Sequence, residues 1–232
     1  MLVGHLAAGL VAKRVEPRLS LGTCVLAAMA ADFLWCLFLL GGIEHVQFNS
    51  GAGAANYLVA SNIAWSHSLL LDLLWAALFA IAYFLWRRYP RGAWVVFAAV
   101  LSHWLLDVVS HRPDMPLAPG IPVRLGLGLW ASLPATLAVE GGFWLFALLL
   151  YARVTRPRSR AGVYALWGGS ALLTLAWCNN ITGPPPPNPH TAPIASLVFF
   201  SLLVAWAYWI NRLRPVEQAA EGRLAESSSW RS

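Results

Sequence analysis

Six long apolar runs dominate the chain, at about residues 19–43, 63–86, 93–110, 130–151, 162–181 and 193–211. Each is close to the roughly 20 residues that a helix needs to cross the hydrocarbon core of a bilayer. A backbone in that solvent must satisfy its own N–H and C=O groups, which leaves helices or a closed barrel. Barrel strands alternate apolar and polar residues, and these runs do not. The expected fold is all-α, a polytopic membrane helical bundle of about six transmembrane helices. Composition agrees: only 11% of residues are charged, against about 25% in a soluble domain.

Residues 1–14 (MLVGHLAAGLVAKR) add a short N-terminal helix, too short to span alone. They do not read as a signal peptide, because His5 interrupts the apolar run and Lys13-Arg14 follow it. The expected organisation is one transmembrane domain over 1–211, its site within 1–150, and a disordered cytoplasmic tail over 212–232. Residues 44–62 read as a polar loop, 111–129 as a Pro- and Gly-rich loop, and GPPPPNPH at 183–190 as a stiff polyproline connector. Cys24, Cys36 and Cys178 lie in apolar runs, and no Cys-x-x-Cys occurs. Neither a disulfide framework nor a thiolate zinc site is indicated.

The net charge of +6 would suit a nucleic-acid partner, but its distribution describes topology. Fourteen of the sixteen Lys and Arg residues fall before run one, between runs two and three, between runs four and five, and after run six. Only Arg112 and Arg124 lie on the other side. The positive-inside rule then puts both termini in the cytoplasm. The expected partners are the lipid bilayer and a small-molecule or lipid substrate, with no nucleic acid.

The stretch most informative about chemistry is SHWLLDVVSH, residues 102–111. His103, Asp107 and His111 are spaced i, i+4, i+8 and share one helix face. Asp32, His67 and Glu140 lie in three other runs, all in the outer half or near the midplane by a rise of about 1.5 Å per residue. Charged groups in hydrocarbon cost at least about 2.5–3.5 kcal/mol each, so they face a bundle interior and bind something. A divalent cation would remove the repulsion among the acids and satisfy the imidazoles. The candidate metal ligands are His67, His103, Asp107 and Asp32, with His5 joining if residues 1–12 form a re-entrant half-helix. If those residues instead lie on the cytoplasmic surface, His5 is excluded. Mixed His and carboxylate ligands suit zinc, with manganese as the alternative. Glu140 and His111 are the candidate catalytic residues: a free carboxylate, Glu140 or Asp32, as general base, and His111 with Arg112 at the mouth to bind or protonate an anionic leaving group. Asp72 divides evenly between supporting the ligands and unrelated packing. Glu44, His45 and His190 read as solvated loop residues.

Gly4-His5, Ala31-Asp32, Ser66-His67-Ser68 and His103-Trp-Leu-Leu-Asp107 together resemble the YdjM-like inner-membrane metal-dependent hydrolases. The resemblance covers about residues 1–120. Asp32 lacks the second acid often seen nearby, Ser66 stands in place of Thr, and no His-Arg-Gly precedes it. That family looks like a membrane relative of helical zinc phospholipases. The resemblance therefore implies an inner-membrane location and phosphoester hydrolysis.

Two other functions compete with a hydrolase. A transporter or proton-linked channel also uses intramembrane acids and imidazoles, but it needs polar residues through the inner half. Runs five and six carry no acid or His, which favours a one-sided pocket. A non-catalytic membrane scaffold is the third possibility, and it binds no metal.

Overall fold

The computed structural model describes residues 1–48, 55, 58–184 and 191–216. The proline-rich connector beyond Pro184, with His190, and the tail beyond Val216 lie outside the described residues. The fold is an all-α bundle. Helix α1 (Leu2–Val15) is followed by α2 (Leu21–Ala28) and α3 (Ala30–Leu40), then by a hairpin of β1 (His45–Phe48) and β2 (Leu58–Asn62). Next come α4 (Ala64–His67), α5 (Leu69–Arg87) and α6 (Pro90–Ser110), and a two-residue antiparallel pair, β3 (Met115–Pro116) and β4 (Arg124–Leu125). Helices α7 (Leu133–Thr136) and α8 (Gly142–Val154) flank a π-helical turn at Leu137–Gly141, and α9 (Arg160–Thr182) and α10 (Ala192–Leu213) complete the chain.

Among the described residues, five continuous helical segments are long and apolar enough to cross a membrane: α5, α6, Leu133–Val154, α9 and α10. The sixth crossing expected from the sequence is not one straight helix. It is the pair α2 and α3, bent by 54°. Run two is also interrupted, because Ser68 adopts an extended conformation (φ −91°, ψ 146°) between α4 and α5. The break at Met29 lies within apolar sequence, so hydropathy does not mark it, whereas the break at Ser68 falls in the polar triplet Ser66-His67-Ser68. These are the helices of an integral membrane protein.

Residues 44–62 are not wholly loop. His45–Phe48 and Leu58–Asn62 pair antiparallel, as their Val, Phe and Leu residues favour. Helix α1 does not lie on the outside of the bundle either. Val3, Gly4, His5, Leu6, Ala7, Gly9, Leu10, Ala12 and Lys13 are buried, packed among α2, α6 and α8. Its small residues let neighbouring backbones approach closely.

Polar anchors hold one end of the bundle. Glu16, 2% exposed, accepts from the Tyr89 hydroxyl at 2.8 Å and pairs with Arg91 at 3.0 Å. Lys13 Nζ donates to the carbonyls of Pro17 and Leu19. Buried Arg214 donates to Thr155 Oγ1 and to the carbonyls of Ala152, Thr155 and Gly162. Leu21 N donates to Asn211 Oδ1. The basic turns thus gather where α1 ends and α2 begins. The first residues of α1 point away from that end, into the centre of the bundle.

Candidate metal centre

The two helix breaks build the site. A helix C-terminus leaves carbonyls without intrahelical partners. At the end of α2, the Ala28 carbonyl takes its proton from His103 Nδ1 at 2.9 Å. A carbonyl can only accept, so Nδ1 carries a hydrogen, and in the neutral ring Nε2 is then the nitrogen with the lone pair. His103 Nε2 is buried without a hydrogen-bond partner, which fits a nitrogen able to ligate a metal ion. Asp32 sits in the first turn of α3, just past the bend. His67 is the last residue of α4, just before the extended Ser68.

These elements converge. His103 Nε2 lies 3.3 Å from Asp107 Oδ2 and 3.7 Å from Asp32 Oδ1. His67 Nε2 lies 3.7 Å from Asp107 Oδ2 and 3.8 Å from Asp32 Oδ1. Metal–ligand bonds of 2.0–2.2 Å in tetrahedral geometry separate adjacent ligands by about 3.3–3.6 Å. All four nitrogen–oxygen edges are therefore near the spacing that such an ion imposes. A direct charge-assisted hydrogen bond would close to about 2.7–2.9 Å.

His5 approaches from α1. Its ring stacks on His103 with centroids 3.6 Å apart and planes inclined by 10°. His5 Nε2 is 3.1 Å from Asp107 Oδ1 and 2.9 Å from the Met1 amino nitrogen, which itself donates to Asp107 Oδ1 at 2.8 Å. Asp107 thus turns one oxygen to His5 and the other to His67 and His103. Two overlapping groups could hold a metal ion, His5–His103–Asp107 and Asp32–His67–His103. The five candidate ligands are together, and the donor set of imidazoles and carboxylates fits a divalent cation.

Glu140 and His111 stand further out. Glu140 is buried in the π-helical turn, where its Oε1 accepts from Gly4 N at 3.3 Å and its Oε2 has no hydrogen-bond partner. That contact ties α8 to the residue preceding His5. His111 caps α6, with Nδ1 2.9 Å from Asp114 Oδ1 and its ring 4.6 Å from that of Trp130. A cavity of about 90 Å³ opens beside the cluster, lined by Met1, Asp32, Trp35, Ile63, His67, Asp107, His111 and Trp130. Glu140 is not among its walls. Asp72 is fully buried in electrostatic contact with His103, His67 and Asp107, and neither carboxylate oxygen has a hydrogen-bond partner.

One residue of the site is not where the sequence places it. Glu44 is 1% exposed, not solvated. Its Oε1 accepts from the backbone N–H groups of Trp65 and Ser66 at 2.9 and 2.8 Å, and its Oε2 is 2.7 Å from Ser66 Oγ. Ser66 Oγ in turn is 2.6 Å from His67 Nδ1. The first N–H groups of α4 need acceptors, and Ile63 at the cap position offers no side-chain oxygen. A sequence signal existed: Glu44 is the one acidic residue in a stretch, 44–62, that holds no Lys or Arg.

No family model, curated protein or solved structure matches this chain.

Proposed function

We propose that this protein is a membrane-embedded, metal-dependent hydrolase acting on a phosphoester or lipid-linked substrate. The observation that carries the proposal is the four-edged set formed by His67, His103, Asp32 and Asp107 beside a small cavity. Zinc is the metal we assign, with manganese as the alternative, because the set mixes imidazole nitrogen and carboxylate oxygen. Such an ion, when bound, acidifies a water and polarises the scissile bond. The chain's own residues supply the rest. Asp32 is a cavity wall whose side chain keeps 19% exposure, and its Oδ1 is the oxygen that meets His67 and His103, so its other oxygen would be the one to take a proton from an attacking water. His111 holds its Nδ1 against Asp114 and lines the cavity, where it could protonate a leaving group. Glu140 fixes α1 through Gly4 and so keeps His5 in place. Trp35, Ile63 and Trp130 limit water around the reacting groups.

The order Gly4-His5, Ala31-Asp32, Ser66-His67-Ser68 and His103-x-x-x-Asp107 supports membership of the YdjM-like hydrolases. The basic turns support cytoplasmic termini in a bacterial-type inner membrane, which directs the cavity toward the outer leaflet. A cysteine pair tests that orientation in a background without Cys24, Cys36 and Cys178. Leu127→Cys is expected to react with an impermeant maleimide on intact cells, and Arg158→Cys only after permeabilisation. The opposite pattern inverts the topology.

The activity is tested on purified protein reconstituted with a panel of phospholipids. Release of a water-soluble phosphoester or phosphate is expected, abolished by a chelator and restored by zinc or manganese. Bound metal with no turnover on any lipid would remove the lipid substrate. Absence of any bound metal would remove the hydrolase reading altogether and favour a scaffold.

A further inference from the structure

Glu44, Ser66 and His67 form a continuous buried chain from carboxylate to imidazole. The order of protons along it follows from valence. A carboxylate only accepts. Glu44 Oε1 already takes two backbone N–H groups, so Oε2 takes the Ser66 hydroxyl proton at 2.7 Å. Ser66 Oγ has then used its single hydrogen. Its 2.6 Å contact with His67 Nδ1 requires Nδ1–H to be the donor. His67 Nε2 is left as a lone pair facing Asp32 Oδ1 and Asp107 Oδ2 at 3.8 and 3.7 Å. Those distances are too long for an Nε2–H donating to a carboxylate. They suit an acceptor nitrogen that shares a cation with the two oxygens. His103 reaches the same state by another route, through the Ala28 carbonyl. Two imidazoles on different helices are thus independently set to turn Nε2 lone pairs toward one point.

We propose that Glu44 is a positioning residue that acts through the Ser66 hydroxyl to hold His67 in its Nδ1–H tautomer, so that Nε2 is free to bind the metal. What Nε2 binds rests on the metal-centre reading above, but the tautomer does not. The device also links the hairpin to the site. Glu44 directly precedes β1, while β2 leads through Ile63, a wall of the cavity, into α4. Disorder of the hairpin would release both the carboxylate and the start of α4, and with them the ring orientation of His67.

Glu44→Gln is the informative substitution because it preserves shape and reverses polarity. The carboxamide oxygen can still accept from Trp65 N and Ser66 N. The amide nitrogen then stands where Oε2 stood and donates to Ser66 Oγ. Ser66 must turn its hydrogen toward His67 Nδ1, which places the ring hydrogen on Nε2 and blocks that ligand atom.

The tautomer is read by ¹⁵N-edited NMR of the imidazole nitrogens in metal-free protein in detergent. The expected result is Nδ1–H for His67 in the wild type and Nε2–H in Glu44→Gln. Zinc affinity, measured by competition with a chromophoric chelator, is expected to fall ten- to a hundredfold, the range for loss of a partner that orients a ligand. Ser66→Thr retains the hydroxyl and should keep both the tautomer and the affinity, whereas Ser66→Ala should lose affinity as Glu44→Gln does. If Glu44→Gln does not fold, the Ser66 pair decides the matter by itself. An Nε2–H wild type, an unchanged tautomer in Glu44→Gln, or equal zinc affinity for Ser66→Ala and Ser66→Thr overturns the proposal. A tautomer switch without zinc binding by any form sustains the relay and overturns the metal centre instead.

Discussion

Asp107→Ala is expected to cost the proposed metal centre most of its affinity. Asp107 is the carboxylate that meets all three histidines: Oδ2 lies 3.3 Å from His103 Nε2 and 3.7 Å from His67 Nε2, while Oδ1 lies 3.1 Å from His5 Nε2. Four-ligand structural zinc sites bind with apparent free energies of about 10–16 kcal/mol, or about 2.5–4 kcal/mol for each ligand. Removing Asp107 should therefore weaken binding by roughly a hundred- to a thousandfold. Asp107→Asn keeps the shape and one carbonyl oxygen but loses the charge, so it should fall between the wild type and alanine. His5→Ala should cost least, roughly ten- to a hundredfold, if its role is to orient Asp107 through Oδ1. The measurement is elemental analysis after gel filtration, with affinities from chelator competition. Wild-type metal content in Asp107→Ala would falsify the assignment. An effect of His5→Ala as large as that of Asp107→Ala would make His5 a direct ligand.

The legibility of this site in the sequence follows from where each residue sits. His103 and Asp107 lie four apart on one uninterrupted helix, and helical spacing alone puts them on one face. Asp32 and His67 stand at breaks. Their depth follows from residue counts, but the turn of the chain at Met29 leaves no mark in an apolar pattern, and the polar Ser66-His67-Ser68 reads as site chemistry rather than as a break in the helix. His5 was a conditional expectation, because a 14-residue helix could lie on the membrane surface or enter the bundle. Its small residues Gly4, Ala7, Gly9 and Ala12 favour entry, but only the packing against α2, α6 and α8 decides it. Glu44 was misplaced for a related reason. An acid in a polar stretch reads as solvated unless the hairpin pairing that folds it over α4 is known. That pairing joins residues separated by a long connection with no helical or strand periodicity. The sequence is informative about local spacing and topology, and least so where two segments must meet.

The same reasoning identifies a second position where a small substitution should have a large effect. Residues 124–128 return across the end of α6, where Leu127 N donates to the Val108 carbonyl and Gly128 N to the His111 carbonyl, each at 2.7 Å. These bonds satisfy carbonyls that the helix end leaves open, and they seat Trp130 against His111. Gly126 lies under this return. A Cβ there would overlap the carbonyl groups of Arg112 and His111, which are backbone and cannot swing aside. Gly128 is the control: its φ is +72°, but nothing stands within 4 Å of a Cβ at that position. Gly128→Ala should cost about 1–2 kcal/mol of left-handed strain. Gly126→Ala should cost overpacking of about 1–3 kcal/mol and both hydrogen bonds at about 1 kcal/mol each. The expected result in detergent is a Tm drop of roughly 10 °C for Gly126→Ala and less than half that for Gly128→Ala. Because the displaced segment carries Trp130, a wall of the cavity, Gly126→Ala should also lose its metal to EDTA faster than the wild type, whereas Gly128→Ala should not. Equal Tm values for the two variants would mean that the return is not held against α6. Unequal Tm values with equal stripping rates would mean that Trp130 and His111 do not guard the proposed metal centre.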